Sequence, residues 1–565
     1  AYFYSVAIVF GLRGEDFFWE LATLIDVMLL GHWLEMRSIL GASGALEALV
    51  KLLPTTAHRL DGQGRLEDVA VSALKVGDRV VVKPGEKVPT DGVIVDGRSS
   101  VNEAMLTGES KPVTRGVGDA AIGGAINGEG ALTLEIRKTG DATYLAQVID
   151  MVRKAQESRS RTQDIANRAA HWLTWIALLG GGTTFAVWSL IGADLAFSLE
   201  RMVTVMVVAC PHALGLAVPL VVSVSTSQAA GHGLLIRNRA AFEHARKLQA
   251  VIFDKTGTLT EGRFGVTDVV ALDGGHDERV LQLAASLETA SEHPIAHGIV
   301  AHARERGLEL WAPADFRNFT GEGAQARVDA ALVRVVSPGH VRRLGLTYDD
   351  SRIAPLLADG KTVVLVLEEQ AVIGAIALAD IVRPESFEAV QRLKAMGVQC
   401  MMLTGDAEIV ARTVARQLGL DDYFAEVLPH EKAAKVKEVR ARGLVTAMVG
   451  DGVNDAPALV ESDLGIAIGA GTDVAIESAD IVLVRSDPRD VVAITALSRA
   501  TYRKMIQNLG WATGYNSFAL PLAAGVAYTA GFMLTPAFGA ALMSISTVVV
   551  AINARLLGRQ DPAQA

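Results

Sequence analysis

Apolar runs separated by blocks too charged to share their surroundings constrain this chain more than anything else in it. Residues 17–34 (FFWELATLIDVMLLGHWL), 171–192, 202–225, 505–530 and 532–554 each come close to or exceed the ~20 residues with which a helix crosses a hydrocarbon layer. Half of the 565 residues are apolar, yet 21% are charged, so the chain reads as a multi-pass membrane protein with large water-exposed domains. Residues 1–12 (AYFYSVAIVFGL) are apolar but too short to span, and the charged RGED follows at once. They read as the tail of a spanning helix rather than a signal peptide, and the chain is expected to be truncated at its N-terminus.

Charge sets the orientation. Arg37, Arg153, Lys154, Arg237, Arg239, Arg503, Lys504 and Arg555 fall on one side of the resulting topology, which is therefore cytosolic. A net charge of −10 argues against nucleic acid as the main partner, since phosphate binding needs a basic face. With Cys210 and Cys400 as the two cysteines, a disulfide framework is excluded and reduced cytosolic domains are expected.

Two water-exposed blocks lie between the spans. Residues 45–150 are strand-rich, with DRVVVKP, DGVIVDG and ALTLEIRKTG punctuated by Gly and Pro. Residues 235–500 alternate short apolar strands (LQAVIFD, QCMMLTGD, LVTAMVGDG, LGIAIG) with helical stretches such as ESFEAVQRLKAMG. That rhythm implies a parallel sheet with ligands at the strand C-termini. Between about 263 and 376 the rhythm changes, as for a domain inserted into the α/β one.

The sharpest motif is DKTGTLT, Asp254 to Thr260, directly after AVIFD. A carboxylate at a strand end, followed by Lys255, Thr256 and small residues, presents an oxygen for in-line attack on phosphorus. A plain turn would account for Asp and Gly but not for the whole run. LTGD (403–406) offers the Thr404 hydroxyl and backbone amides to phosphate oxygens, with Asp406 beside them. GDGVNDAP (450–457) offers Asp451 and Asp455, hard oxygen ligands suited to Mg2+. Lys432, in LPHEKAAKV, can neutralise charge on a transferring group.

This set of loops resembles P-type ATPases of the haloacid-dehalogenase superfold, and the resemblance runs through nearly the whole chain. It implies an aspartyl-phosphate on Asp254, formed from ATP, with Mg2+ held by Asp254, Asp451 and the Thr256 carbonyl and with Lys432 and Thr404 on the phosphate. LTGES (106–110) matches the family's actuator loop, so Glu109 is expected to position the hydrolytic water. SEHPIA (291–296) and GEG (321–323) resemble the nucleotide pocket of heavy-metal pumps, with Glu292 and His293 at the adenine and Gly321 and Gly323 allowing close backbone approach. Where the family often carries Gly-Asn, this chain has Gly339-His340, a departure that affects one nucleotide contact.

The implied architecture is a multi-domain α-helical membrane protein with a β-rich actuator domain (45–150), a haloacid-dehalogenase-like α/β phosphorylation domain (235–262 and 376–500) and an α+β nucleotide-binding insertion (263–375). Its membrane part comprises a helix remnant (1–12), a helix at 15–40, two helices at 165–225 and two at 505–556.

Within the membrane part, VVACPHALGLAVPL (207–220) places Cys210, Pro211 and His212 side by side. A proline opens the helical hydrogen-bond ladder, and irregular backbone at membrane depth is tolerated only where it is buried or lines a cavity. A thiolate and an imidazole flanking that break are metal ligands; the bland alternative is a proline kink with a buried Cys and a bonded His. Cys-Pro-His resembles the copper-transporting subgroup of heavy-metal P-type ATPases. That resemblance brings in Tyr515 and Asn516 of GYNSFALP, and Met543, Ser546 and Thr547 of MSIST, with Glu35 as the metal-uptake carboxylate. Glu20 is a candidate to assist release or simply a solvated helix start. Asn167 stands where copper pumps often carry Asp, which leaves uptake to Glu35 or Asp164. The expected activity is ATP-driven export of copper, and silver with it, across the cell membrane, with lipid as one partner and room for a cytosolic metal donor. The alternatives are a zinc, cadmium or lead exporter, a membrane-tethered phosphatase of the same superfold, and a metal-sensing receptor without turnover.

Overall fold

The computed structural model describes residues 2–11, scattered positions between 18 and 36, and residues 54–61, 63–102, 113–146, 149, 161–209, 212–272, 274–319, 322–469 and 477–558. These form two compact units: Ala1–Lys247 with Asp480–Arg485 and Ala493–Ala565, and Leu248–Ala479 with Ser486–Val492.

In the first unit, a six-stranded antiparallel sheet runs in the order Leu66–Ala70, Thr56–Leu60, Arg79–Val82, Leu132–Ile136, Gly92–Asp96, Ala120–Ala121. Its alternation is legible in Leu132–Ile136, where Leu132, Leu134 and Ile136 are buried and Thr133 and Glu135 are not, as expected of strands packed on one face. Three short strands, Val113–Arg115, Ser99–Asn102 and Ile126–Asn127, make a second sheet. The LTGES loop, with Glu109, lies outside the described residues.

The helical part follows. Helix α1 spans Arg161–Ile191, α2 Leu195–Val208, α3 His212–Ala217 and α4 Pro219–Gly231. Among the described residues, two stretches, Asn167–Ile191 and Leu195–Gly231, are long and apolar enough to cross a membrane. The stretch GADLAFSLER (192–201), which by its polarity reads as a short turn between the runs 171–192 and 202–225, is helical from Leu195 onward. Asp194 caps α2 by accepting from the Ala196 N–H at 3.1 Å, and Glu200 and Arg201 enter the helix because they pair with each other. Arg201 is fully buried and donates to the Leu534 carbonyl at 2.6 Å. The second run is not one helix but three, and Pro219, which lacks an N–H, opens the last of them.

Near the C-terminus, α5 (Arg489–Ala523) and α6 (Pro536–Leu557) replace the expected spans 505–530 and 532–554. Gly525 and Gly531, at φ +90° and +77°, shape the turn between them, and Thr535 caps α6 at the Phe538 N–H, 3.2 Å away. The α-helix therefore stops at 523 and the next begins at 536, with a single 3-10 turn, Tyr528–Ala530, between them. The nine positions described between Phe18 and Met36 are helical.

The second unit is built on a parallel sheet of β1 (Ala250–Asp254), β2 (Gln399–Leu403), β3 (Asp422–Phe424), β4 (Thr446–Gly450) and β5 (Leu464–Ile468), in the order β5-β4-β1-β2-β3. Every residue of β1, β4 and β5 is buried, as in a sheet covered on both faces. After β1 the chain moves to one side, and it later returns to the other. The carboxyl ends of β1, β2 and β4 therefore meet at the switch point where such sheets bind ligands.

The insertion is a six-stranded antiparallel sheet ordered Thr260–Ala271, Ala371–Val382, Thr362–Glu368, Ala331–Val336, Gly323–Val328, Ala314–Phe319. Helices Asp277–Glu288 and Pro294–Glu305 bury Leu281 and Ile299 in one core with Val328 and Ile376. Val336, Val341 and Leu365 form a second core. The expected borders at 263 and 375 fall inside two twelve-residue strands that run through them.

Candidate active site

Asp254 closes β1, the central strand, flanked by β2 and β4 in parallel register. Its carboxylate is buried and accepts from the Lys432 ammonium at 2.5 Å, which also donates to Asp455 at 2.7 Å. Burial, and next the charge of Asp455, push the Asp254 carboxyl up to about 7. The Asp451 carboxyl is raised for the same two reasons. Burial opposes the charge on Lys432, but Asp254 and Asp455 outweigh it and hold the ammonium above its ordinary value. Three carboxylates thus face one cation, and the cluster carries more negative charge than it neutralises.

Backbone geometry keeps these groups close. Gly257 has φ +78°, and a Cβ built on it would stand 2.1 Å from Asp451 Oδ2. A Cβ on Gly450 would meet the Asp455 carboxyl carbon at 2.7 Å. Asp455 also accepts from the Gly452 N–H at 3.2 Å. Thr404, buried at the end of β2, accepts from the Asp406 N–H through its hydroxyl at 3.1 Å. Thr256 is exposed at the mouth of the loop in extended conformation.

Asp380 and Arg383, which the sequence reading did not name, carry a supporting network around Lys255. Lys255 is buried and pairs with Asp406, and it lies 3.4 Å from Asp380. Asp380 accepts from the Thr260 hydroxyl at 2.6 Å and the Gly262 N–H at 3.1 Å. Arg383 donates to the carbonyls of Thr260 and Gly257 at 3.0 and 3.2 Å. Thus Asp406 acts on the lysine that follows the nucleophile. The only sequence signal was DIVRPES, an acid and a base just ahead of a helix-opening proline.

Ligand atoms of Asp254, Asp451 and Asp455 lie within 4.8 Å of one another. An all-oxygen donor set with surplus negative charge fits a small hard divalent cation.

The nucleotide candidates are less concentrated. His293 caps helix Pro294–Glu305, its Nδ1 accepting from the Ile295 N–H at 3.2 Å, while Glu292 projects into solvent 3.5 Å from His297. Gly321 lies outside the described residues. Gly323 has φ +138°, and a Cβ there would stand 2.1 Å from the Val335 carbonyl oxygen, so the close approach this glycine permits is to a neighbouring strand. His340 lies 2.5 Å from Glu322 through Nδ1 and stacks on Phe319, with Arg343 also on Glu322 at 2.6 Å.

Of the expected ion-site residues, Cys210, Glu35 and the His212 side chain lie outside what is described; His212 is the first residue of α3. Asn516, Met543, Ser546 and Thr547 are buried, and Tyr515 is half-buried. The Thr547 hydroxyl donates to the Met543 carbonyl at 3.1 Å. By contrast, Tyr515 Oη, Asn516 Oδ1 and Ser546 Oγ are buried without a hydrogen-bond partner among the described residues. Asp164 and Asn167 are exposed on α1.

Fold and site together define a phosphoryl-transfer enzyme with an aspartate nucleophile. Family models agree: residues 248–463 match the haloacid dehalogenase-like hydrolases, and residues 51–153 match the P-type ATPase actuator domain. A copper-exporting P-type ATPase B of Archaeoglobus fulgidus is 66% identical over 557 residues, covering 99% of this chain and 80% of that one. A protein of the same name from Enterococcus hirae is 46% identical, covering 96% and 73%. The crystal structure of a zinc-transporting PIB-type ATPase in its E2.Pi state aligns over 95% of this chain and 87% of its own, with 32% identity and a TM-score of 0.60. The chain belongs to the P-type ATPases, which are membrane proteins.

Proposed function

We infer that this chain exports copper, and silver with it, across the cell membrane at the expense of ATP. The observation that carries the reading is the buried cluster in which Lys432 bridges Asp254 and Asp455 beside Asp451. It suits a carboxylate that must be anionic and shielded from water when it attacks phosphorus.

In this mechanism Asp254 takes the γ-phosphoryl group of ATP, forming a new O–P bond as ADP leaves. Lys432 turns from the carboxylate to the phosphoryl oxygens, which Thr404 also meets. Asp254, Asp451 and the Thr256 carbonyl would hold Mg2+, which when bound would supply positive charge at those oxygens. Lys255, fixed by Asp406 and Asp380, keeps the loop in place. Glu109 then orients the water that hydrolyses the acyl phosphate. Glu292, His293, Gly321 and Gly323 serve the nucleotide.

The transported ion sits among Cys210, His212, Tyr515, Asn516, Met543, Ser546 and Thr547, reached from the cytosol past Glu35. Sulfur and imidazole beside neutral oxygens suit copper rather than a hard cation. The unpartnered oxygens of Tyr515, Asn516 and Ser546 support the placement, because buried polar atoms without partners are costly. Helices at both ends anchor the protein in lipid, the cytosolic side carries the catalytic domains, and a cytosolic metal donor completes the delivery route.

A zinc-transport reading has one observation in its favour, the 32% likeness to a zinc-transporting ATPase. The 66% and 46% relatives, both named copper exporters, weigh against it. The test is ATPase activity of the membrane-reconstituted chain with copper, silver and zinc ions under reducing and oxidising conditions. Copper is expected to stimulate, and Cys210→Ala to abolish the stimulation. Indifference to copper in both states, with zinc activating, overturns the assignment.

A further inference from the structure

An outward-opening pocket of about 490 Å³ lies between α5 and α6, lined by Lys504, Gln507, Asn508 and Trp511 from the first helix and by Ile552 and Asn553 among others from the second. That volume is within the ~300–1,000 Å³ typical of small-molecule sites. Its walls divide by chemistry. Trp511 and Ile552 are about half exposed, and Leu556 at the rim is exposed as well. The floor is polar: Lys504 Nζ donates to Asn553 Oδ1 at 2.8 Å, and Asn553 Nδ2 donates to Asn508 Oδ1 at 2.8 Å.

The chain of bonds does not stop there. The Asn508 amide is buried and donates to the Ala217 carbonyl at 3.1 Å, with Val550 O at 3.4 Å. Ala217 is the last residue of α3, where the broken helix is interrupted ahead of Pro219. The floor of the pocket is therefore bonded to the backbone of the segment that begins at His212.

Lys504 has no carboxylate partner among the described residues, and its ammonium keeps N–H donors beyond the one given to Asn553. A partly buried cation, an amide from Gln507, an indole at the rim and an apolar wall meet at the helix ends assigned to the cytosol. The complementary occupant is an anion carrying hydrocarbon. We propose that this pocket binds the headgroup and upper acyl chain of an anionic phospholipid of the cytosolic leaflet. Its phosphodiester lies on Lys504 and Gln507, and its chain lies along Ile552 and Leu556. The proposal rests on the membrane reading above and adds a ligand to it. Occupancy holds Lys504 in the bonding pattern Lys504–Asn553–Asn508–Ala217 and so steadies the interruption in the ion-site helix.

The test uses the whole purified chain in detergent, with native mass spectrometry and thermal unfolding after addition of phosphatidylglycerol, phosphatidylcholine or inorganic phosphate. Phosphatidylglycerol is expected to be retained in preference to phosphatidylcholine and to raise the unfolding temperature. Lys504→Gln, which still donates to Asn553, should weaken retention about 5-fold, near the effect of one basic residue at an anionic surface, whereas Lys504→Arg should preserve it. Equal retention of the two lipids, undiminished binding by Lys504→Gln, or displacement by millimolar phosphate would each overturn the proposal. Retention of neither lipid also overturns it, since another occupant would then fill the groove. Copper-stimulated ATPase of the same preparations reports separately on the transport reading, which a failure of lipid binding leaves standing.

Discussion

Replacing Gly257 by alanine probes the active site through a single methyl group. Gly257 sits at φ +78°, and its Cβ would fall 2.1 Å from Asp451 Oδ2, against 3.4 Å or more in ordinary contact. The left-handed backbone alone costs an L residue roughly 1–2 kcal/mol. Steric overlap adds a displacement of the Asp451 carboxylate of roughly 1 Å, and misplacement on that scale costs on the order of 100-fold in rate. The loop cannot retreat freely, because Arg383 ties the Gly257 carbonyl at 3.2 Å. In single-turnover phosphorylation by radiolabelled ATP, the rate should fall about 100-fold and half-saturation by Mg2+ should move to higher concentration. The unfolding temperature should drop by only about 2–8 °C, so lost activity is not lost fold. A Gly257→Ala rate within a few-fold of the parent, at unchanged Mg2+ dependence, would refute the inference that this glycine exists to admit Asp451.

Four further outcomes follow from the structure. The Asp254 carboxyl, pushed up to about 7 by burial and Asp455, must lose its proton to attack; phosphorylation at limiting Mg2+ should therefore rise with pH through about 7, and a flat profile from pH ~5 to 8 counts against it. The stability sign is the reverse: a carboxyl raised in the folded state favours folding at low pH, so the ion-free protein should lose stability as pH climbs from the unfolded value toward 7, and Mg2+ should restore it. Lys432→Gln removes the counter-charge of two buried carboxylates and should shift the phosphorylation profile to higher pH while lowering its plateau about 100-fold; a profile in the parent's position argues against the bridge. Asn516→Leu replaces a buried amide whose oxygen has no partner among the described residues, so stability should hold or improve while copper-stimulated turnover falls at least ~10-fold; destabilisation with turnover intact would make Asn516 a structural residue.

Legibility in the sequence followed the range of the interactions. Asp254, Thr404, Asp451 and Asp455 were readable because each sits on a loop directly after an apolar strand, and a parallel sheet delivers such loops to one edge. Lys255 was harder: its partners Asp380 and Asp406 are more than a hundred residues away, and no local pattern announces a pairing across an inserted domain. That strands run through the expected borders at 263 and 375 was hidden for a related reason. Gly and Pro punctuation suggests breaks, whereas Thr260–Ala271 and Ala371–Val382 continue as long strands because each completes the other's hydrogen bonding. At 192–201 polarity misled in the opposite sense, since Glu200 and Arg201 cancel as a pair and the helix accepts both. Gly323 was read as room for a nucleotide; its approach to the Val335 carbonyl is fixed by strand register and invisible before the sheet is known.

Both units bury further polar atoms without a hydrogen-bond partner among the described residues, Arg239 Nε and Nη2 and Thr258 Oγ1 among them, but two places stand out by the groups they assemble. At Asp254 the imbalance is one of charge: three carboxylates share one lysine, and the fold meets this by raising proton affinity. Near the C-terminus the imbalance is one of hydrogen bonding, with oxygens of Tyr515, Asn516 and Ser546 left without partners among the described residues. Neither deficit favours folding, because an apolar residue of similar size would serve each position at lower cost. On the proposed function each is removed by a cation, but by different ones. Anionic carboxylates suit a hard ion, whereas neutral oxygens with the thioether of Met543 in the same helical region suit a softer one. The proposal therefore assigns one deficit to chemistry and the other to cargo, a separation that a phosphorylation-driven metal pump requires.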